Sequence, residues 1–356
     1  MHEREAKARE AVVEAGRRLL ERGLVARTWG NVSARVSEHL FVITPSGRAY
    51  EHLRPEDLVL LDCRDLAKLG RQKPSSEKGI HADAYRLRPE VNFVIHTHQD
   101  MASILSTLGQ GGSVPCAAYG LPSTDLLRRA VKAQWLAHPE SRVMLLKSHG
   151  ALCLGESMEE AFQNAQALED YCAGVVAPYL DGVEKSAVPK DLGRSMRCGS
   201  LYELDLGWTK KTCRVGDLTA RGAAAFHGAI YRLTAARAVL HCTDPYVVEL
   251  SRRGENLRPM LDDLAQIAGS EILSLPPSPR RLAAALIPAN AVLVKGFGAL
   301  CTGNTLEDAE TVEKLLVKGC RAWRFAKAHP QATPLSQADA ILQRTLYVTK
   351  YAKRKK

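Results

Sequence analysis

The chain has no CxxC pair, although nine cysteines are scattered along its 356 residues. That argues against a cysteine-built metal site or a dithiol redox motif, and an odd number of thiols argues against a disulfide framework. A reducing, cytoplasmic setting is the expectation. No apolar run is long enough to span a membrane. Met1-His2-Glu3-Arg4-Glu5 is charged and lacks an apolar stretch, so no signal peptide is expected. No DNA- or RNA-binding motif is present, so no nucleic-acid partner is expected despite a formal charge of +10. Part of that charge falls in Lys350, Lys353, Arg354, Lys355 and Lys356, a tail expected to fray in solvent. The remaining excess suits a small anionic substrate. Hydrophobic content of 46% and charged content of 25% are ordinary for a globular chain, and the length suits two domains.

Helical spacing of Ala8, Val12, Ala15, Leu19 and Leu20 predicts a helix over 4–22, stopped by Gly23. Short strands are expected after Gly30-Asn31, at Phe41-Val42-Ile43 and at Val59-Leu60-Leu61. Pro74-Ser75-Ser76-Glu77 opens a helix to about Arg88, with Ser76 as the expected N-cap. Further helices are expected over 101–108 and 126–136. Ser157-Met158-Glu159-Glu160 fits a capping box, with a helix behind it to roughly Val176. Residues 181–199, with Pro189 and two glycines, read as a linker.

The stretch richest in chemistry is Val94-Ile95-His96-Thr97-His98. Strand side chains alternate, so His96 and His98 share a face and can grip one side of a divalent transition metal. The third ligand is expected at His149, where an apolar strand runs into a turn. Two of these histidines alone would pass for ordinary core or surface residues. Hydroxyls and free N–H groups at the start of the 74–88 helix can bind an anion, although capping alone is their commoner use.

Beyond the linker the chain echoes itself. Phe226-His227-Gly228-Ala229-Ile230-Tyr231 follows Ile80-His81-Ala82-Asp83-Ala84-Tyr85, Ala238 to Thr243 follows Val94 to His98 with one flanking residue, and Val292 to Cys301 follows Leu145 to Cys153. Such repetition points to a repeated fold unit. The chemistry is missing from the second copy: Thr243 replaces His98, Phe297 replaces His149, and Ala223 stands where Glu77 would fall. The segment before it is too short to repeat residues 1–76. His81 and His227 occupy matching positions and are expected to be packing residues.

Five motifs in order carry a family resemblance: Gly30-Asn31-Val32-Ser33, Thr44-Pro45-Ser46-Gly47, Pro74-Ser75-Ser76-Glu77, His96-x-His98 and His149-Gly150. The chain resembles the class II aldolase/adducin family over about 17–178 and more faintly over 223–327. The resemblance implies a three-layer α/β/α fold around a mostly antiparallel sheet. It implies a metal-bearing domain over 1–192 and a degenerate, truncated repeat without metal ligands over 193–356. His96, His98 and His149 would hold Zn²⁺, or Mn²⁺, Fe²⁺ or Co²⁺, since imidazole sites choose weakly among these. Asn31, Ser46, Gly47, Ser75 and Ser76 would bind the substrate phosphate, and Glu77 would be the acid/base. The implied activity is a metal-dependent lyase of the aldolase type, working on a small phosphorylated sugar through a metal-chelated enediolate. An epimerase, a dehydratase or a non-catalytic adducin-like scaffold are the other readings. A homodimer is expected, each chain filling two positions of a ring whose relatives hold four subunits.

Overall fold

The computed structural model describes residues 2–25, 29–183, 188 and 190–351. The basic tail from Lys353 onward, together with Thr28 and Pro189, lies outside the described residues. The chain divides into two compact units, Met1–Pro178 and Tyr179–Lys356. Among the described residues no helix is long and apolar enough to cross a membrane.

The first unit begins with α1 (His2–Glu21). Val12, Ala15 and Leu19 recur along one side of it and are fully buried against the first two strands. These are β1 (Asn31–Arg35) and β2 (Leu40–Ile43), followed by β3 (Val59–Asp62) and β4 (Lys68–Leu69). Next come α2 (Lys78–Leu87), β5 (Phe93–Thr97), α3 (Asp100–Ser106), β6 (Cys116–Ala117), α4 (Asp125–Ala137), β7 (Val143–Leu146), β8 (Gly150–Gly155) and α5 (Met158–Leu180). The eight strands form one sheet in the order β4-β3-β2-β1-β5-β8-β7-β6, antiparallel except for the β6–β7 pair. On one face, Ile80, Tyr85, Leu127, Val131 and Trp135 of α2 and α4 pack on Phe41, Ile43, Val94 and Leu152. Helices α1 and α3 cover the other face, giving the three layers expected. Arg128 on α4 donates to both oxygens of buried Asp83 on α2, at 2.6 and 2.9 Å, so the two helices are tied side by side.

Helix α2 starts later than its sequence predicts. Glu77, not Ser76, is the N-cap, and Ser75 Oγ accepts from the Glu77 N–H at 3.3 Å. Pro74 and Ser75 are held extended instead, because the Pro45–Pro74 bridge and the Ser75 N–H to Thr44 carbonyl bond pair them with the turn after β2. The capping box holds in part: Glu160 N–H bonds Ser157 Oγ, while its carboxylate accepts from Glu156 N–H.

The second unit comprises β9 (Arg194–Cys198), β10 (Leu201–Asp205), β11 (Lys210–Arg214), α6 (Ala223–Leu233), β12 (Ala238–Cys242), α7 (Pro245–Arg253), α8 (Asp262–Ile267), β13 (Ser274–Leu275), α9 (Pro279–Ala285), β14 (Ala291–Val294), β15 (Gly298–Gly303), α10 (Leu306–Lys327) and α11 (Gln337–Leu346). Its strand order is β11-β10-β9-β12-β15-β14-β13, the order of the first sheet without β4. The pair Phe41–Tyr85, with centroids 5.2 Å apart, has its counterpart in Tyr202–Tyr231 at 5.1 Å. The repeat is thus fuller than the sequence suggests. Strands β9 to β11 stand where β1 to β3 do, and β9 lies inside the stretch expected to be a linker. Only Ser195 of β9 is buried and β11 is almost wholly exposed, so neither strand carries the apolar alternation that announces one.

Candidate metal centre

Strand β5 lies between β1 and β8, and this sets the first ligand. Asn31 of β1 is the cross-strand partner of His96, so both side chains leave the same face of the sheet. The backbones are in close contact here. Gly30 has φ +77°, and a Cβ on it would collide with the His96 carbonyl; one on Gly150 would collide with the Thr97 carbonyl. Both glycines are therefore required for β5 to sit between its neighbours. His98 follows just past the end of β5. His149 sits in the tight β7–β8 turn, closed by a 3.0 Å bond from its N–H to the Leu146 carbonyl. Ser148, one residue before it, has φ +60°, a left-handed conformation that costs a residue other than glycine.

The turn and the strand end bring the three imidazoles together. One ligand atom from each of His96, His98 and His149 lies within 4.8 Å of the others. The His96 and His149 rings stack with centroids 4.8 Å apart, and His98 meets them edge-on at 4.9 and 4.6 Å. Glu77 closes the cluster. Its Oε2 is 3.3 Å from His96 Nε2 and its Oε1 is 3.2 Å from His149 Nε2. Asn31 Nδ2 donates to Glu77 Oε2 at 2.9 Å.

The donor chemistry fits a divalent transition cation. His96 Nδ1–H donates to the Ala151 carbonyl at 2.8 Å, which leaves its Nε2 as a bare lone pair facing the cluster. Burial drives the His96 imidazole well below its ordinary value, against the pull of Glu77. Burial pushes the Glu77 carboxyl up, but the facing His96 and His149 outweigh it and bring the group well below the usual carboxylate range. The His96 direction favours the neutral ring, the form in which an imidazole takes up a metal.

Four of the residues expected to bind phosphate lie on two paired segments, the turn after β2 and the stretch before α2. The turn carrying Ser46 and Gly47 is paired with the segment before α2, through the Ser46 N–H to Lys73 carbonyl bond at 2.9 Å. Gly47, with φ +76°, is exposed and Ser46 is half-buried. Ser75 is buried, whereas Ser76 is exposed and accepts from Ser123 Oγ at 2.7 Å. Ser123 has φ +64° and is a contact no motif announces. His81 is more than the packing residue expected of it. It is fully buried and bonds both Asn31 and Ser33, so it belongs to the polar interior behind Glu77.

The second unit supplies the contrast. His241 of β12, the counterpart of His96, bonds the Phe297 carbonyl at 2.8 Å. Gly193 stands across from His241 where Asn31 stands across from His96. Among the described residues, the His96, His98 and His149 group alone could hold a metal with three donors.

The 5-deoxy-D-ribulose 1-phosphate aldolase of Bacillus thuringiensis serovar kurstaki is 31% identical over 198 residues, covering 52% of this chain and 91% of that protein. The methylthioribulose-1-phosphate dehydratase of Methylococcus capsulatus is 33% identical over 191 residues, covering 48% of this chain and 93% of its own. Among solved structures, the L-fuculose-1-phosphate aldolase of Thermus thermophilus is 28% identical, with 48% of this chain and 93% of that chain covered and a TM-score of 0.41. The family model for the Class II Aldolase and Adducin N-terminal domain matches residues 10–176 and again 194–323. With both segments matched and the layered fold present in each half, the chain belongs to the class II aldolase and adducin family.

Proposed function

We propose that the first unit is a metal-dependent lyase acting on a short ketose 1-phosphate. The observation that carries this reading is the Glu77 carboxylate set between His96 Nε2 and His149 Nε2 and held from behind by Asn31. A scaffold has no need of three converging imidazoles around a buried carboxylate.

His96, His98 and His149 would hold the cation, with Zn²⁺ first and Mn²⁺, Fe²⁺ or Co²⁺ as alternatives. Such a cation acts as a Lewis acid toward the oxygens of a bound ketose. Ser46, Gly47, Ser75, Ser76 and Asn31 would take the phosphate, the serines through their hydroxyls and Asn31 through the amide hydrogen not given to Glu77. Glu77 would move a proton at the carbon beside the substrate carbonyl. The buried setting keeps bulk water from that step. We place the division between the metal-bearing domain and its degenerate repeat at 192/193, and take the chain to act in the cytoplasm as a homodimer.

The named relatives act on 5-substituted ribulose 1-phosphates by two routes, so two outcomes are open to the same site. Aldol cleavage of 5-deoxyribulose 1-phosphate breaks C3–C4 and yields dihydroxyacetone phosphate and acetaldehyde. Dehydration keeps the carbon chain and releases water, leaving a diketone phosphate. Aldol cleavage is our first reading. Product analysis with 5-deoxyribulose 1-phosphate and methylthioribulose 1-phosphate decides: aldehyde and triose phosphate support the aldolase, an intact five-carbon diketone supports the dehydratase, and no turnover of either overturns the reading.

A further inference from the structure

We propose that His81 is a positioning residue: its Nε2–H holds the Asn31 side-chain carbonyl and so turns the Asn31 amide nitrogen toward Glu77.

The argument is one of donors and acceptors. Five side chains form an unbroken buried series behind the metal cluster. Tyr85 OH lies 2.7 Å from Ser33 Oγ, Ser33 Oγ lies 2.7 Å from His81 Nδ1, His81 Nε2 lies 2.5 Å from Asn31 Oδ1, and Asn31 Nδ2 lies 2.9 Å from Glu77 Oε2. Asn31 gives its side-chain N–H to Glu77 Oε2, which accepts. Its carbonyl then faces His81, and His81 must carry its proton on Nε2. A neutral ring in that tautomer accepts at Nδ1, so Ser33 donates to it and accepts in turn from Tyr85. Every hydrogen bond in the series is thereby given one sense. Burial drives the His81 ring from its ordinary value of 6.5 down to about 3, against the pull of Glu77, so the ring is neutral and its partners choose the tautomer.

The second unit shows which part of the series is scaffolding. Ser195, His227 and Tyr231 repeat Ser33, His81 and Tyr85, with both bonds at 2.6 Å. There the series stops. Gly193 and Ala223 stand for Asn31 and Glu77, and the His227 ring meets the Leu192 backbone instead of a side-chain amide. The serine–histidine–tyrosine set therefore serves the packing of both copies. Only in the first unit does the ring nitrogen lead on to an amide and a carboxylate. A leucine would fill the space at position 81 but would let the Asn31 amide turn over.

The inference rests on the reading of Glu77 as the proton-moving group, and its test has one arm that needs no substrate. Nitrogen-15 spectra of histidine-labelled protein near neutral pH should show His81 as the neutral Nε2–H tautomer, assigned by its loss in His81→Leu. An Nδ1–H tautomer or an imidazolium would overturn the proposal, since Asn31 would then have to face the other way. The second arm compares folded variants on the ribulose phosphates. His81→Leu should lower kcat by about 10–100-fold with little change in KM, the usual worth of an outer orienting bond. His81→Gln, which keeps an N–H donor, should restore most of it, and His227→Leu should leave kcat unchanged. Equal kcat in His81→Leu and His227→Leu, or His81→Gln as poor as His81→Leu, would overturn it. If the unaltered protein turns over neither substrate, the lyase reading fails while the tautomer still decides the inference.

Discussion

Glu77 is where metal binding and chemistry separate. It touches two of the three ligand rings, yet a metal site of three imidazoles does not depend on a fourth donor. Glu77→Gln should retain bound metal and lower turnover by about 10²–10⁴-fold, the usual worth of a positioned acid/base. Turnover close to normal in that variant would remove Glu77 from the mechanism. The buried histidines make a separate prediction about stability. His81 is lowered to about 3 and His227 to about 4, both mainly by burial, while the unfolded rings titrate near their ordinary 6.5. The unfolded state therefore binds more protons below pH ~6.5, and stability is lost as pH falls through that window toward the folded values. Each ring should cost about 2 kcal/mol between pH ~7 and ~5. Urea unfolding of the metal-free protein measures this, and His227→Leu should show a shallower pH dependence than the unaltered chain.

At the scale of elements, the β7–β8 turn is the device that delivers His149. Its φ of +60° at Ser148 is matched in the second unit by Gly296 at +79°, followed by Phe297 in place of the ligand. The turn is thus a property of the fold, and the ligand was set on it. Ser148→Gly should keep metal binding and stability. Ser148→Val should lose about 1–3 kcal/mol in urea unfolding, the cost of a β-branched residue in the left-handed region.

Elements also show what is legible in the sequence. The trio can be read because alternation puts His96 and His98 on one face, and because His149-Gly150 recurs as Phe297-Gly298 with its neighbours intact. The helices of the first unit can be read because their apolar spacing is regular. Strands β9 to β11 cannot, since polar strands with one or two inward side chains look like loop. The start of α2 misleads because two serines resemble a cap, while pairing with the Thr44-Pro45-Ser46-Gly47 turn draws them away from the helix. His81 reads as packing because its meaning lies in which residue faces its second nitrogen, and that contact spans 50 positions of sequence.

At the scale of the whole chain, two copies of one fold have been kept and one set of ligands lost. The second unit retains its core around Tyr202, Tyr231, Val239, Leu282 and Leu300, although its counterpart of His98 is Thr243. A core is required for folding whether or not chemistry is present. Retention of a second folded unit is what assembly would demand, and we predict a homodimer; a mass near one chain by light scattering over a broad concentration range would contradict it. The central claim is that the first unit alone is a metal centre. Elemental analysis of the chain after reconstitution with Zn²⁺ tests it most directly, beside His98→Ala. The account predicts one metal per chain, absent in His98→Ala while the far-ultraviolet circular dichroism is unchanged. Two metals per chain, none, or one that survives His98→Ala would contradict it.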